Sequence, residues 1–313
     1  MPYHSLLISS LFLLCSSWLA AVSSAKADEK KLAIEPTKLE GVNTPADEDD
    51  PFVVPDLSKR VYDGPHLYYV SNNAGKAKDK KFHIMISNRK PTGVWQKGQL
   101  LEAVNGEGEE RSPFLLHEKD SNHLFFASTR LGGNFDIFRA MHKDKDHFLE
   151  PGSLNNDQIS TEADELHPWV TAKGTQLYFS RKTKEGWRIF VSLRPGGIGA
   201  FEKPHKVDLP PDYFHATLSE DGKTMYLQGP AGKERWALYK STRDKNKIDP
   251  WEEGAWSKPE PLDRLNSLEG KKGDCSPCLV KHGQFHFLYF ASDRPGGEGG
   301  LDLYMVNTKL LGD

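Results

Sequence analysis

Short apolar strands come in pairs along this chain, and the pairing repeats five times. The first strand of each pair reads LYYVS (67–71), LFFAS (124–128), LYFSR (177–181), MYLQG (225–229) and LYFAS (288–292). The second reads HIMIS (83–87), DIFRA (136–140), RIFVS (188–192), ALYKS (237–241) and DLYMV (302–306). A polar turn separates the members, and the first members start 57, 53, 48 and 63 residues apart. Ahead of each pair lies a further apolar strand, mostly opened by proline: PFVV (51–54), PFLL (113–116), HPWV (167–170), HATL (215–218) and SPCL (276–279). After several pairs comes an aromatic residue leading to an aliphatic one, as in Trp95 to Leu100, Phe201 to Val207 and Trp256 to Leu262. Proline is tolerated in that last segment because an outer strand has an unpaired edge.

Four strands per unit at this repeat length predict an all-β protein, a five-bladed β-propeller of four-stranded antiparallel blades. Each small sheet can bury its two faces only against its neighbours. The fifth unit lacks its outer strand, since only Asn307 to Asp313 follow DLYMV. The segment 32–39 within LAIEPTKLEGVNT has the pattern of the outer strands. It is expected to complete the last blade and close the ring, which would remove an exposed edge. The propeller then spans 32–313 as one domain.

Residues 5–22 (SLLISSLFLLCSSWLAAV) are apolar, and small residues follow at Ser23, Ala25 and Ala27. This predicts a secretory signal over about 1–25, a linker over 26–31, and an exported protein, periplasmic or secreted, with no stable membrane insertion after cleavage. The 41 basic residues are balanced by 44 acids, for a net charge of −3, which gives no footprint for nucleic acid. A monomer is expected. Cys15 falls inside the signal, leaving Cys275 and Cys278 in Cys-Ser-Pro-Cys, read as small buried residues or as a disulfide.

Turns such as STRLGGNFDIF (128–138) and SDRPGGEGGLDLY (292–304), with the strands before them, resemble the TolB-type, WD-like propeller repeats of bacterial exported proteins. That resemblance implies a platform for protein contact and carries no catalytic residues. The primary expectation is therefore a binding module for a protein or glycan.

Loops joining outer to inner strands, and those joining the two middle strands, share one face of a propeller. On it should gather the acids that precede the inner strands, Glu48, Glu110, Glu165 and Asp274, with Asp212 displaced by one. His167 and His215 should join them at the strand entries, with Arg130, Arg181 and Arg294 from the middle turns. The acids serve either as ties for the blade entries or as a ligand ring. Asp136 and Asp302 are expected to pair with Arg130 and Arg294 across their hairpins. His167 and His215 share a repeat position and either meet as metal ligands or fill the channel mouth. The run Asp47-Glu48-Asp49-Asp50 is a candidate Ca²⁺ site of hard oxygen ligands, or a solvated loop. The alternative function is a glycoside hydrolase with Asp50, Glu110 and Glu165 as base, modulator and acid, since such enzymes place two carboxyl groups about the scissile bond.

Overall fold

The computed structural model describes residues 33–54, 66–73, 80–118, 121–144, 147–154 and 158–312. The predicted signal and linker, 1–31, lie outside them. The chain divides into two units, Met1–Ile34 and Glu35–Asp313, and the second is the propeller.

Five antiparallel sheets of four main strands make the ring. The first blade is β2 (Glu48–Val54), β3 (His66–Ser71), β4 (His83–Asn88) and β5 (Gln99–Leu100). The second is β6 (Glu110–His117), β7 (Asn122–Ser128), β8 (Asp136–Asp144) and β10 (Gly152–Ser153), with β9 (His147–Phe148) paired on β8. The third is β11 (Glu165–Val170), β12 (Gln176–Thr183), β13 (Gly186–Leu193) and β14 (His205–Lys206). The fourth is β15 (Phe214–Leu218), β16 (Thr224–Pro230), β17 (Trp236–Thr242) and β18 (Glu260–Pro261). The fifth is β19 (Asp274–His282), β20 (Phe285–Ser292), β21 (Asp302–Asn307) and, from the other end of the propeller, β1 (Thr37–Lys38).

The ring closes as the sequence predicts. Thr37 pairs with Met305 and Lys38 with Tyr304. The Leu39 amide donates to the Leu303 carbonyl at 2.9 Å, and the Lys38 ammonium reaches Glu298 at 2.7 Å. Leu39 and Val42 then pack in one core cluster with Leu303 and Trp95.

Strand alternation explains why the aromatic pairs recur. Successive side chains on a strand point to opposite faces, so Tyr68 enters the core between blades one and two while Tyr69 enters the core toward blade five. Likewise Leu124 and Phe126 face blade one, and Phe125 faces blade three. Fully burying each such side chain contributes about 1.5–3 kcal/mol, and every blade has two faces to bury.

One boundary differs from expectation. In four blades the inner strand starts at the acid, two or three residues ahead of the predicted openings at Pro51, Pro113, His167 and Ser276. The reason is a bulge at one repeat position in all five inner strands, and that bulge builds the site.

Candidate functional site at the propeller axis

The register of every inner strand slips at the same place: between Asp49 and Phe52, Arg111 and Phe114, Leu166 and Trp169, Phe214 and Thr217, and Cys275 and Cys278. Within each slip one residue takes positive φ: Asp50 (50°), Ser112 (56°), His167 (57°), His215 (53°) and Ser276 (54°). None is glycine, and four precede a proline. Backbone in this region costs about 1–3 kcal/mol per residue and persists where its surroundings over-determine it. In three of the five the preceding blade holds the turned amide. The turned amide of Ser112 donates to Asp50 Oδ2 at 2.9 Å, that of His215 to Ser180 Oγ at 3.0 Å, and that of Ser276 to Gln228 Oε1 at 2.9 Å.

Three consecutive positions on each inner strand therefore have three fates. The outermost is the acid. Glu48, Glu110, Glu165 and Asp274 are fully buried. Glu48 accepts from the Thr44 amide and hydroxyl and from the Ser71 hydroxyl, at 2.7–2.9 Å. Glu110 accepts from the Gly106 amide at 3.2 Å, Ser128 Oγ at 3.0 Å and Arg130 at 3.2 Å, and His83 Nδ1 stands 2.9 Å away. Glu165 accepts from Thr161 and, at 2.6 Å, from Arg181 Nε. Asp274 accepts from the Ser267 amide at 2.7 Å and from Arg294 at 2.6 Å. Burial pushes the Glu48 and Glu165 carboxyls above the ordinary range, against the pull of these donors.

The arginines are plugs. Arg130, Arg181 and Arg294 each bond one of these acids, cap a loop carbonyl (Val104, Ile159 and Leu265) and lie over two blade aromatics, such as Phe290 and Tyr304 for Arg294. This corrects the hairpin pairs read from sequence. Arg294 pairs with Asp274, not Asp302, whose carboxylate instead accepts from the Glu298 amide at 2.9 Å; Arg130 pairs with Glu110, not Asp136. Blade four lacks the acid. Tyr213 occupies that position over Gly229, where a Cβ would approach the Tyr213 ring to 2.6 Å. Asp212 instead accepts from the Trp187 amide at 3.0 Å.

The middle position lines a cavity of about 340 Å³: Asp49, Arg111, Leu166, Phe214 and Cys275 all face it. Its wall also holds Phe135, Trp187, Glu234, Trp236 and Lys272. Trp187 stacks on Phe214 at 5.2 Å, and Trp236 meets Phe214 edge-on at 5.0 Å. Arg111 reaches Asp49 at 3.4 Å. Burial pushes Asp49 above the ordinary aspartate range, and the neighbouring Asp50 pushes it further; burial raises Asp50 as well, with Arg111 opposing. Sequence reasoning missed Asp49 as a pocket group, and also Arg111, Trp187, Glu234 and Trp236. For Asp49 and Arg111 the available signal was their place two residues before the proline that opens the inner strand; Trp187, Glu234 and Trp236 carried none.

The third position is the floor. Asp50, His167 and His215 offer ligand atoms all within 4.8 Å of one another, the one such group of His, Cys, Asp and Glu among the described residues. The His167 and His215 rings stack at 3.8 Å, and His215 Nδ1 stands 3.7 Å from Asp50 Oδ1. Burial holds His215 down to about 4 and His167 well below the usual histidine range. Ser276 is a partner of both Asp49 and Asp50.

Of the sequence-predicted glycosidase set, Asp50 faces the cavity, whereas Glu110 and Glu165 are spent inside the blade entries. The acids of the 47–50 run do not gather on one ion: Asp47 holds the Leu301 amide at 2.8 Å and Lys272 at 2.6 Å, Glu48 holds Thr44, and Asp49 pairs with Arg111. Cys275 and Cys278 are free, buried thiols on either side of the bulge, one lining the cavity and one the narrow channel below it. Burial pushes Cys278 up to about 12 and Cys275 well above the usual thiol range.

No family model matches the chain, and no curated protein does. Solved structures do. The catalytic domain of a Coprinopsis cinerea GH62 α-L-arabinofuranosidase superposes with a TM-score of 0.58 at 13% identity, over 88% of this chain and 96% of that one. An endo-arabinase from Bacteroides thetaiotaomicron gives 0.59 at 12%, over 88% and 97%. A GH43 β-xylosidase/α-arabinofuranosidase from a compost metagenome, with xylotriose and in a calcium-free form, gives 0.55 at 13%, over 87% and 94%. The likeness is one of fold. It overturns the TolB-type reading: the five-bladed neighbours are glycoside hydrolases, not WD-like repeat proteins. The binding-module reading falls with it. The charges that were to form a binding face, Glu48, Glu110, Glu165, Asp274, Arg130, Arg181 and Arg294, are consumed within the blade entries, and the open chemistry lies at the axis.

Proposed function

We propose that the protein is a glycoside hydrolase whose axial cavity takes a pentose-containing glycan. The observation that carries the reading is the cavity itself: carboxyl groups and indole walls together at the axis of a five-bladed ring. Glycosidic cleavage uses two carboxyl groups beside the scissile bond, one protonated and one ionised. Asp49 suits the acid, because burial and the charge of Asp50 favour its protonated form. Glu234, exposed on the loop between β16 and β17, suits the base. Trp187 and Trp236 offer apolar faces to a sugar ring, and Arg111 and Lys272 offer donors to its hydroxyls. The arabinan- and xylan-cleaving names of the fold neighbours support a pentose rather than a hexose. The apolar segment 5–22 supports export, where such polymers are met.

The test is a panel of 4-nitrophenyl α-L-arabinofuranoside, the corresponding β-xyloside, arabinan and xylan oligosaccharides. The expected result is hydrolysis by the wild type. Asp49→Asn and Glu234→Gln should each lose about 10²–10⁴-fold, as removal of a general acid or base does, with melting temperature kept. No hydrolysis across the panel, or activity indifferent to both substitutions, would overturn it.

A further inference from the structure

We propose that Asp50, His167 and His215 form a binding site for a divalent transition metal, of the Zn²⁺ class, at the propeller axis. The site stands whether or not the cavity above it cleaves a glycan.

Three features carry it. The first is spacing. Ligands about 2.0–2.2 Å from a shared ion stand roughly 3–3.5 Å from one another. The Asp50 Oδ1 to His215 Nδ1 separation is 3.7 Å, and the third donor atom lies within 4.8 Å of both. The second is unspent valence. His167 Nδ1 and His215 Nδ1 are buried with no hydrogen-bond partner. Such atoms are uncommon in native interiors and call for an explanation, an ion among them. The third is the backbone. The three residues sit at equivalent bulges of blades one, three and four, and each holds a positive φ that glycine would take more easily. Side chains are kept at positions that disfavour them.

The surroundings are those of a held ligand set. Asp50 Oδ2 is fixed by the Ser112 amide at 2.9 Å and hydroxyl at 3.2 Å, which leaves Oδ1 turned to His215. Gln228 bonds the His215 ring. Partners of this kind orient ligands and set the tautomer. Two imidazoles with one carboxylate select Zn²⁺, Co²⁺ or their neighbours over Ca²⁺ and Mg²⁺, which want oxygen ligands. Asp50 and His167 also line the cavity above.

The experiment uses the full chain stripped with chelator and no glycan, so its failure is separate from failure of the hydrolase reading. Zn²⁺, Co²⁺, Ca²⁺ and Mg²⁺ are titrated by calorimetry, and Co²⁺ also by its visible absorption. The expected result is one equivalent of Zn²⁺ or Co²⁺, a raised melting temperature, and no comparable response to Ca²⁺ or Mg²⁺. His167→Ala and His215→Ala should each weaken binding by more than the 10–100-fold typical of losing a supporting group. Should either fail to fold, Asp50→Asn, which keeps the shape and the Ser112 contacts, is read by the same Co²⁺ spectrum. No saturable binding to the wild type, binding unchanged in these variants, or a preference for Ca²⁺ would overturn the proposal.

Discussion

Glu110 and Ser112 stand two residues apart on one strand, as do Glu48 and Asp50, Glu165 and His167, and Asp274 and Ser276. Both members of each pair are polar and largely removed from solvent, yet they are opposite kinds of site. The acids are saturated: each carboxylate accepts from a loop amide, and three of the four also face an arginine that is itself anchored on aromatics. The axis residues are strained at φ of 50–57° and include nitrogens with no partner. A repeat that places charge in almost every blade can thus be a fastening in one layer and a site in the next. Satisfaction of the polar atoms, not their number, tells the two apart.

The largest effect that would break this comparison is at Glu110. Glu110→Ala strips Arg130, Ser128 and the Gly106 amide of their acceptor at once, and removal of one partner from a buried pair costs about 3–5 kcal/mol. Chemical denaturation should show that loss. A cost under 1 kcal/mol would mean that the acid layer is not a fastening. Glu48 has no arginine, so Glu48→Ala should cost less, about 1–3 kcal/mol for donors left unsatisfied. Reversal of that order would place the weight on the Thr44 turn and not on the plugs.

A finer measurement asks which acid each arginine serves. In a double-mutant cycle of stability, Arg294→Ala and Asp274→Ala should couple by about 0.5–3 kcal/mol, whereas Arg294→Ala and Asp302→Ala should be closer to additive. Strong coupling to Asp302 would restore the hairpin pairing that sequence alone suggested.

That misreading marks where legibility ended. Blade number, strand order and closure by the N-terminal strand could all be read, because they rest on hydrophobic alternation and on counting. The convergence of His167 and His215 could be read from their shared repeat position. Partner choice could not. Arg294 is nearer Asp302 than Asp274 in sequence, but β20 and β21 direct it back across the sheet onto Phe290 and Tyr304 and so toward the inner strand. The cavity wall was also hidden. Asp49 looked like one acid in a run of four, and only the bulge, which adds a residue to each inner strand, separates its direction from those of Glu48 and Asp50. Trp187, Glu234 and Trp236 come from blades three and four, with no spacing to link them to Asp49.

The smallest effect is the sharpest on the axis layer. At most positions glycine is less stable than alanine, because it loses more backbone freedom on folding. At His167 the order should reverse. The residue holds φ 57°, which an added Cβ disfavours by about 1–2 kcal/mol. Both His167→Gly and His167→Ala lose the 3.8 Å stack on His215 and the 5.6 Å contact with Phe214, so those losses cancel in the comparison. What remains is the backbone term, and His167→Gly should exceed His167→Ala in unfolding free energy by about 1 kcal/mol. Two residues earlier, at Glu165, the backbone φ is not positive and the ordinary order should hold, with alanine the more stable. Matched denaturation curves of the four variants read both differences. Alanine above glycine at both positions would mean that the axis carries no stored strain, and that the bulge residues are ordinary strand residues like the acids beside them.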